Sequence, residues 1–197
     1  GPGFVDAVTF SFGDVPQGVF GVGRLSLGDG GASAIGALFE GRRLVASFAA
    51  DADAPDGEDW SDLSVGALRT GTAEPLARWS VSLETEGGGF DLGFQALAAP
   101  ARFPVDAAPA RAGGPQGYEQ LCRVQGSVST GGAPRPVDCL GQRGHCWGAI
   151  DWDAIESVRS LSAWLGPDAA VFVSAVRTRA ARSHADDALA AVVAEGY

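Results

Sequence analysis

The chain has 197 residues, of which 46% are hydrophobic, so it can bury a sizeable core as one domain or as part of a larger protein. Its formal net charge is -10 and it contains no basic run, which argues against a nucleic-acid-binding or other phosphate-binding surface. No apolar run reaches the roughly 18–20 residues that cross a bilayer, so we expect a cytoplasmic protein without a transmembrane segment.

The first half of the sequence predicts short β-strands separated by glycine turns. Apolar or alternating segments recur at 5–12, 18–27, 33–39, 43–49, 63–70, 76–84 and 90–98. The glycine-rich turns between them, at 28–31, 40–41 and 86–89, are typical of tight hairpins. Residues 99–117 are rich in Ala, Pro and Gly and predict a long connection.

The second half continues this pattern with two further hairpins. The first joins segments 118–129 and 137–147, and the second joins segments 157–165 and 169–177. Helical signals are also present at 153–165 and 185–195. We favour strands for most of both, with a short helical turn at 151–156, because a sheet with many hairpins needs partners for its edges. The whole pattern predicts an all-β antiparallel sandwich or barrel with many hairpins and little helix.

The stretch 141–153 concentrates rare side chains, since it holds one of the two histidines and two of the five tryptophans. In a strand, Arg143, His145 and Trp147 point to the same face, because side chains alternate between the two faces. A cation, an imidazole and an indole on one face indicate a surface that contacts a ligand. Two alternatives are a hydrogen-bonded core histidine at His145 and a buried ion pair between Arg143 and Glu119.

The three cysteines, Cys122, Cys139 and Cys146, lack the regular spacing of a disulfide scaffold. We expect reduced thiols, with a bridge between Cys122 and Cys139 as the alternative. No Cys-x-x-Cys pair occurs, and the adjacent His145 and Cys146 point to opposite faces of a strand. The sequence therefore predicts no metal site and no cofactor.

The same stretch resembles a known family. The sequence reads Gln-Arg-Gly-His-Cys-Trp-Gly at 142–148 and Asp-Trp at 151–152, and Gly-Tyr-Glu-Gln and Arg-Val-Gln-Gly lie upstream at 117–120 and 123–126. It is similar to the Arg-Asp-His-Ser-Trp-Gly…Asp-Trp signature of the lipocalin-like superfamily of carotenoid 1,2-hydratases and AttH-like proteins. Gly144 stands where that signature has Asp, and Cys146 stands where it has Ser.

The resemblance implies a lipocalin-like antiparallel β-barrel over 4–150, followed over 151–197 by continuing strands that begin a second β-domain. Members of the superfamily usually have two such domains, with a ligand cavity near their interface. The partner it implies is therefore a missing second domain, or a second copy in a homodimer that pairs along a free strand edge. The ligand it implies is a hydrophobic small molecule of isoprenoid or polyketide type.

Hydration and cyclisation are the reactions that the resemblance implies, and a non-catalytic ligand-binding or structural β-domain is the alternative. Hydratases of this superfamily carry a Tyr and an Asp two residues apart on a later strand. The comparable segment here offers Phe172 and Ser174, neither of which is a carboxylic acid, and this argues against hydration.

Eight residues are candidates for the site. The candidate catalytic residues are His145, as a group that positions water or relays a proton, and Asp151 and Asp153, as a buried acid. The candidate ligand-binding residues are Arg143, Trp147, Tyr118, Gln120 and Trp152. In the structural alternative, Asp151 and Asp153 cap a turn and Trp152 belongs to the core.

Overall fold

The computed structural model describes residues 3–53 and 60–196, which form one sheet of eleven strands and one of three. The first sheet holds β1 (Phe4–Asp14), β2 (Val19–Gly28), β3 (Gly31–Glu40), β4 (Arg43–Ala52), β5 (Asp62–Val65), β6 (Leu68–Glu74), β7 (Arg78–Thr85), β8 (Gly88–Ala96), β9 (Ala101–Arg102), β10 (Gln116–Ser129) and β11 (Arg135–Ala149). The second holds β12 (Ile155–Gly166), β13 (Ala169–Thr178) and β14 (Ala188–Glu195).

Helix is confined, in the described residues, to α1 (Ala108–Arg111) and a 3-10 turn at His184–Asp186. No helix in this part of the chain could span a membrane. The all-β prediction is confirmed, and so is the preference for strands over helices at 153–165 and 185–195. The connection predicted at 99–117 holds β9 and α1.

The large sheet curves into a nearly closed antiparallel barrel. Its strands follow the order β4-β3-β2-β1-β11-β10-β8-β7-β6-β5, with β9 beside β10, and β4 contacts β5 across the two ends of the sheet. Most pairs join strands that follow each other in the chain, but β1 pairs with β11, in a register that matches Phe4 to Ala149. This long-range pair puts the end of β11 in the middle of the barrel wall.

The prediction of one strand over 63–70 is wrong, because that segment is a hairpin. β5 ends at Val65, β6 begins at Leu68, and Gly66 lies in the turn with a φ of 56°. This left-handed backbone favours glycine. A side chain there would also lie 2.5 Å from the ring of Phe48, so glycine is required for both reasons.

Alternation along each strand fills the barrel with apolar side chains. Phe10 and Phe12 of β1 point inward and make edge-to-face contacts with Phe94 and Phe90 of β8, with ring centroids 5.1 and 5.5 Å apart. Such pairs stabilise a core by about 0.5–1.5 kcal/mol beyond their buried area. The barrel interior at this level is therefore packed.

The second sheet packs on the outside of the barrel. Its inner face buries Phe172, Ala170 and Ala194 against Leu121 of β10 and Ala98 after β8. Its outer face is also apolar, yet Leu161 and Val193 there are 63% and 60% exposed. Whether residues 151–197 begin a second domain or meet a second copy of the chain stays a prediction.

Candidate functional site

The two faces of β11 meet two different environments. Arg143 pairs with Phe10 and His145 pairs with Val8, so both side chains share the face that points into the barrel. Trp147 lies on the same face by alternation. Gln142, Gly144 and Cys146 point the other way, toward the second sheet. Arg143, His145 and Trp147 therefore share one face of β11, as the alternation predicts, and this face points into the barrel.

His145 is the centre of a hydrogen-bonded group, named here the His145 network, that comprises Asp6, Trp60, Tyr118, Arg143 and His145. Its Nε2 lies 2.5 Å from Asp6 Oδ1, and Trp60 Nε1 donates to Asp6 Oδ2 at 3.3 Å. A carboxylate only accepts hydrogen bonds, so Nε2 donates and the Nδ1 of a neutral ring accepts from Tyr118, whose hydroxyl lies 3.4 Å away. Arg143 Nη1 completes the chain by donating to that hydroxyl at 2.5 Å.

Burial holds the pKa of His145 below its ordinary value, because the protein desolvates the imidazolium form. The hydrogen bond and the charge of Asp6 act in the opposite direction, and the charge of Arg143 again favours the neutral ring. Three aromatic rings, those of Trp60, Tyr118 and Trp147, meet the imidazole edge to face with centroids 5.4–6.0 Å away. The structure therefore corresponds to the alternative of a hydrogen-bonded, largely enclosed histidine.

Asp6→Asn is expected to lower the pKa of His145 further, because it removes the carboxylate that favours the protonated ring. An NMR pH titration of the His145 imidazole signals measures this change, with the unaltered chain titrated in parallel as the control. An unchanged or higher His145 pKa in the variant would contradict the pairing with Asp6.

The predicted ion pair between Arg143 and Glu119 is wrong. In the register of β10 and β11, Arg143 lies opposite Gln120 and Glu119 lies opposite Gly144, so the two side chains point to opposite faces of the sheet. Arg143 is buried and has no ion-pair partner in the described part of the chain. Its guanidinium instead lies 4.8 Å from the Trp79 ring centroid and 5.6 Å from that of Tyr118. Cation–π contact and the Tyr118 hydroxyl thus replace a carboxylate.

The amide nitrogen of Gln120 is hydrogen-bonded to the backbone, whereas its oxygen is not, in the part of the chain that the structure describes. Gln120 is fully buried, and its Nε2 donates to the carbonyl oxygens of Leu76 at 3.0 Å and Ala98 at 2.8 Å. Gln120 also pairs with Arg143 in the register of β10 and β11. Its Oε1 and Arg143 Nε are both buried without a hydrogen-bond partner among the described residues. The ligand contacts that the sequence predicts for Gln120 and Arg143 would therefore be made inside the barrel.

The prediction that Asp151 or Asp153 is a buried acid is wrong. Both residues are exposed in the turn before β12. Asp151 Oδ1 accepts from the backbone N–H groups of Asp153 and Ala154, each at 3.1 Å, so it caps this turn. Trp152 is not a core residue, since it is 55% exposed, and it lines the mouth of a cavity.

That cavity lies between the barrel wall and the second sheet, has a volume of about 470 Å³, and is named here the inter-sheet cavity. Its floor includes one row of side chains in register across four strands, which are Arg24, Thr9, Gly144 and Glu119. Its roof comes from the inner face of the second sheet, with Ser160, Ser162, Phe172 and Ser174. Phe103, Ile150 and Trp152 also line it.

Glu119 is the acidic residue of this floor. Burial under the second sheet raises its pKa to about 7, against the hydrogen bond from Gln142 and the charges of Arg24 and Arg143, which lower it. Its carboxyl lies over Gly144, where a Cβ would be only 2.6 Å from Oε2. Because Gly144 has no side chain, the carboxyl of Glu119 can occupy the space above it.

Gln142 of β11 fixes the position of Glu119 and is itself held by Trp164 of the second sheet. Trp164 Nε1 of β12 can only donate a hydrogen bond, and it does so to Gln142 Oε1 at 3.0 Å. The amide nitrogen of Gln142 must then face away, and it donates to Glu119 Oε2 at 3.0 Å. At the other end of the row, Arg24 donates to Thr9 Oγ1 at 2.9 Å and to Cys146 Sγ at 3.5 Å.

Sequence reasoning missed Glu119, Gln142 and Arg24 as cavity residues. One signal was available for Glu119, which interrupts an otherwise uncharged strand segment at 116–122. Arg24 lies far away in the chain and gave no such signal. The three cysteines are free, and Cys146 lines the cavity. No group of metal-binding side chains occurs in residues 3–53 and 60–196.

Comparison with known proteins supports the lipocalin-like fold. A family model described as a domain of unknown function (DUF7064) matches residues 1–193. A crystal structure from Nitrosomonas europaea, provisionally named AttH, matches with a TM-score of 0.71 and 12% identity over 96% of this chain and 64% of that chain. CghA solved with Sch210972 gives a TM-score of 0.61 and 12% identity over 98% of this chain and 58% of that chain.

A second CghA structure matches with a TM-score of 0.60 and 11% identity, over 98% of this chain and 58% of that chain. No curated protein matches the chain by sequence. The chain spans about three fifths of the length of these solved structures. At these identities the likeness concerns the fold alone, and it supports a lipocalin-like β-barrel.

Proposed function

We propose that this chain, which belongs to the family described as domain of unknown function DUF7064, binds a hydrophobic small molecule of isoprenoid or polyketide type in the inter-sheet cavity. The observation that carries the proposal is the cavity itself. Its volume of about 470 Å³ lies within the usual range of small-molecule sites, roughly 300–1,000 Å³. CghA, which was solved with Sch210972, supports a small-molecule site on this fold.

The lining of the cavity suits such a ligand. Phe103, Phe172 and Trp152 supply apolar area, and the polar groups are concentrated on the floor at Arg24 and Glu119. A site with apolar walls and a few convergent polar groups binds the body of a ligand by burial and orients it by hydrogen bonds. Of the predicted ligand-binding residues, Trp152 is the one whose side chain we assign to this site.

Tyr118, Arg143 and Trp147 serve in this proposal as the support of the cavity floor from inside the barrel. Their side chains point away from the second sheet, and Arg143 and Tyr118 hydrogen-bond each other there. We propose the same supporting role for His145, which Asp6 and Tyr118 hold in place. A supporting group acts on the ligand only through the strand that it anchors.

Ser174→Trp is expected to weaken binding of the isoprenoid ketone β-ionone at least 10-fold, because an indole at this position of β13 fills the cavity. Equilibrium dialysis measures the affinity, and native mass spectrometry of freshly purified protein detects any ligand carried through purification. Val193→Trp is the matched control, since Val193 lies on the outer face of the same sheet. Absence of saturable binding to the unaltered protein, or equal binding by both variants, would refute the proposal.

A further inference from the structure

The floor of the inter-sheet cavity combines an acid and a cation in a way that binding alone does not require. We propose that the cavity takes a carbonyl compound, that Glu119 exchanges a proton at the carbon next to the carbonyl group, and that Arg24 holds the carbonyl oxygen. This inference rests on the ligand site proposed above and names its substrate class. The chemistry is proton abstraction beside a carbonyl group.

Glu119 has the setting that a base needs. Its carboxyl lines the cavity, and Gln142 donates to Oε2 only, which leaves Oε1 without a hydrogen bond from the described residues. Trp164 fixes Gln142 in turn, so the carboxyl is oriented before a ligand enters. A base works best when its pKa lies near the working pH, and the pKa of about 7 meets this condition.

Arg24 has the setting that an oxygen-binding cation needs. A guanidinium has five N–H donors, and Thr9 and Cys146 engage only the two terminal nitrogens of Arg24 in the described chain. Arg24 and Glu119 stand three strands apart, so their backbones are about 14 Å from each other at a spacing of about 4.8 Å per strand. Their side chains approach each other across this distance, because the Arg24 guanidinium reaches Thr9 and Cys146 and the Glu119 carboxyl lies over Gly144, and both groups line the cavity.

The step is balanced without a further reactant. Glu119 as carboxylate accepts the proton from the carbon, the C–H bond breaks, and its electron pair moves through the carbon–carbon bond onto the carbonyl oxygen. Arg24 stabilises the negative oxygen by donated hydrogen bonds, which is the role that fixed donors have at developing oxyanions. Return of the proton from Glu119 to the same or a conjugated carbon completes an exchange or a double-bond shift.

Few other charges face Glu119. Arg24 of β2 acts from the floor, Cys146 of β11 lies on the same floor, and Arg143 acts through the sheet. The second sheet presents hydroxyl and apolar groups at Ser160, Ser162, Ser174 and Phe172. The ionisation of Glu119 therefore governs the pH dependence, and the exchange rate should rise with pH and level off above about 7.

The test uses β-ionone in D₂O, because the methyl group beside its carbonyl carries exchangeable protons that NMR follows directly. We expect the unaltered chain to exchange them and Glu119→Gln to exchange them at least about 100-fold more slowly, since a positioned base contributes roughly 10²–10⁴-fold. The amide of the variant can still accept from Gln142, so β-ionone affinity should stay within about 3-fold. Glu156→Gln is the matched control, because Glu156 is exposed and outside the cavity.

Arg24→Gln separates the two roles. It should slow exchange while the pH midpoint of the remaining rate moves upward, because the Arg24 charge lowers the pKa of Glu119. Saturable β-ionone binding without exchange in the unaltered chain would overturn this inference and leave the proposed function intact. Equal exchange by Glu119→Gln and the unaltered chain would also overturn it. Absence of binding would refute the proposed function itself.

Discussion

Phe172→Ala is expected to lower the free energy of unfolding by about 3–5 kcal/mol, which is the usual cost of removing a buried phenyl ring. Phe172 is 1% exposed and lies in the apolar cluster that joins the second sheet to β10. Ala170 and Ala194 are the other buried members of that cluster from this sheet, and both are small. Loss of the ring therefore removes the largest fully buried side chain of the second sheet from this cluster, and the partly buried Trp164 and Val192 remain.

Urea unfolding measures this cost, and hydrogen exchange shows where it acts. We expect the amides of β12, β13 and β14 to lose protection while those of the barrel strands keep theirs, because the ring belongs to the contact between the sheets. Val193→Ala, at a 60% exposed position of the same sheet, is the control and should cost less than about 1 kcal/mol. Equal effects of the two variants would contradict the assigned packing.

Gly144→Asp is expected to destabilise the protein by about 3 kcal/mol at pH 8, since a second carboxylate would lie beside Glu119. A Cβ on Gly144 would be 2.6 Å from Glu119 Oε2, so the side chain of Glu119 must move in any case. Gly144→Ala measures that displacement alone and should cost about 1 kcal/mol. The rest of the cost is repulsion between like charges in a poorly hydrated place.

The charge part of this cost should shrink at pH 5. Glu119 then binds a proton, because burial raises its pKa to about 7. A second variant, Glu119→Ala with Gly144→Asp, moves the acid from β10 to the facing residue of β11 and should regain stability to within about 1 kcal/mol. Thermal unfolding at both pH values tests this. A cost for Gly144→Asp that persists in the double variant would show that the two residues do not interact.

Alternation predicted correctly which residues of β11 share a face, but it did not identify the opposite face of β11 as the one turned toward the second sheet, although His145 and Tyr118 also border the cavity. Arg143, His145 and Trp147 drew attention because a cation, an imidazole and an indole are rare on one face. In the structure Arg143 hydrogen-bonds to Tyr118 and His145 hydrogen-bonds to Asp6 on the inner face, and the residues of β11 toward the cavity include Gln142, Gly144 and Cys146. Alternation alone cannot choose between these faces, because both are covered by protein.

Sequence patterns also did not identify which ionisable group is buried, as Asp151 and Glu119 show. The sequence offered Asp151 as the buried acid because it adjoins the histidine motif, whereas Glu119 was considered only as a partner for Arg143. The raised pKa of Glu119 comes from burial and not from its sequence neighbours. Trp164, which fixes its position through Gln142, follows Gln142 by 22 residues.

The sequence by itself determined the strands, since alternating side chains and glycine turns act within a few residues of each other. The motif at 142–152, which β11 and the following turn carry, also indicated a lipocalin-like barrel, and the solved structures are similar in fold. The tertiary structure alone decided which side of β11 faces the cavity, because the position of the second sheet depends on the burial of Phe172 against Leu121. Burial in the folded chain, and not any local sequence pattern, raises the pKa of Glu119 and makes it the acidic group of the site.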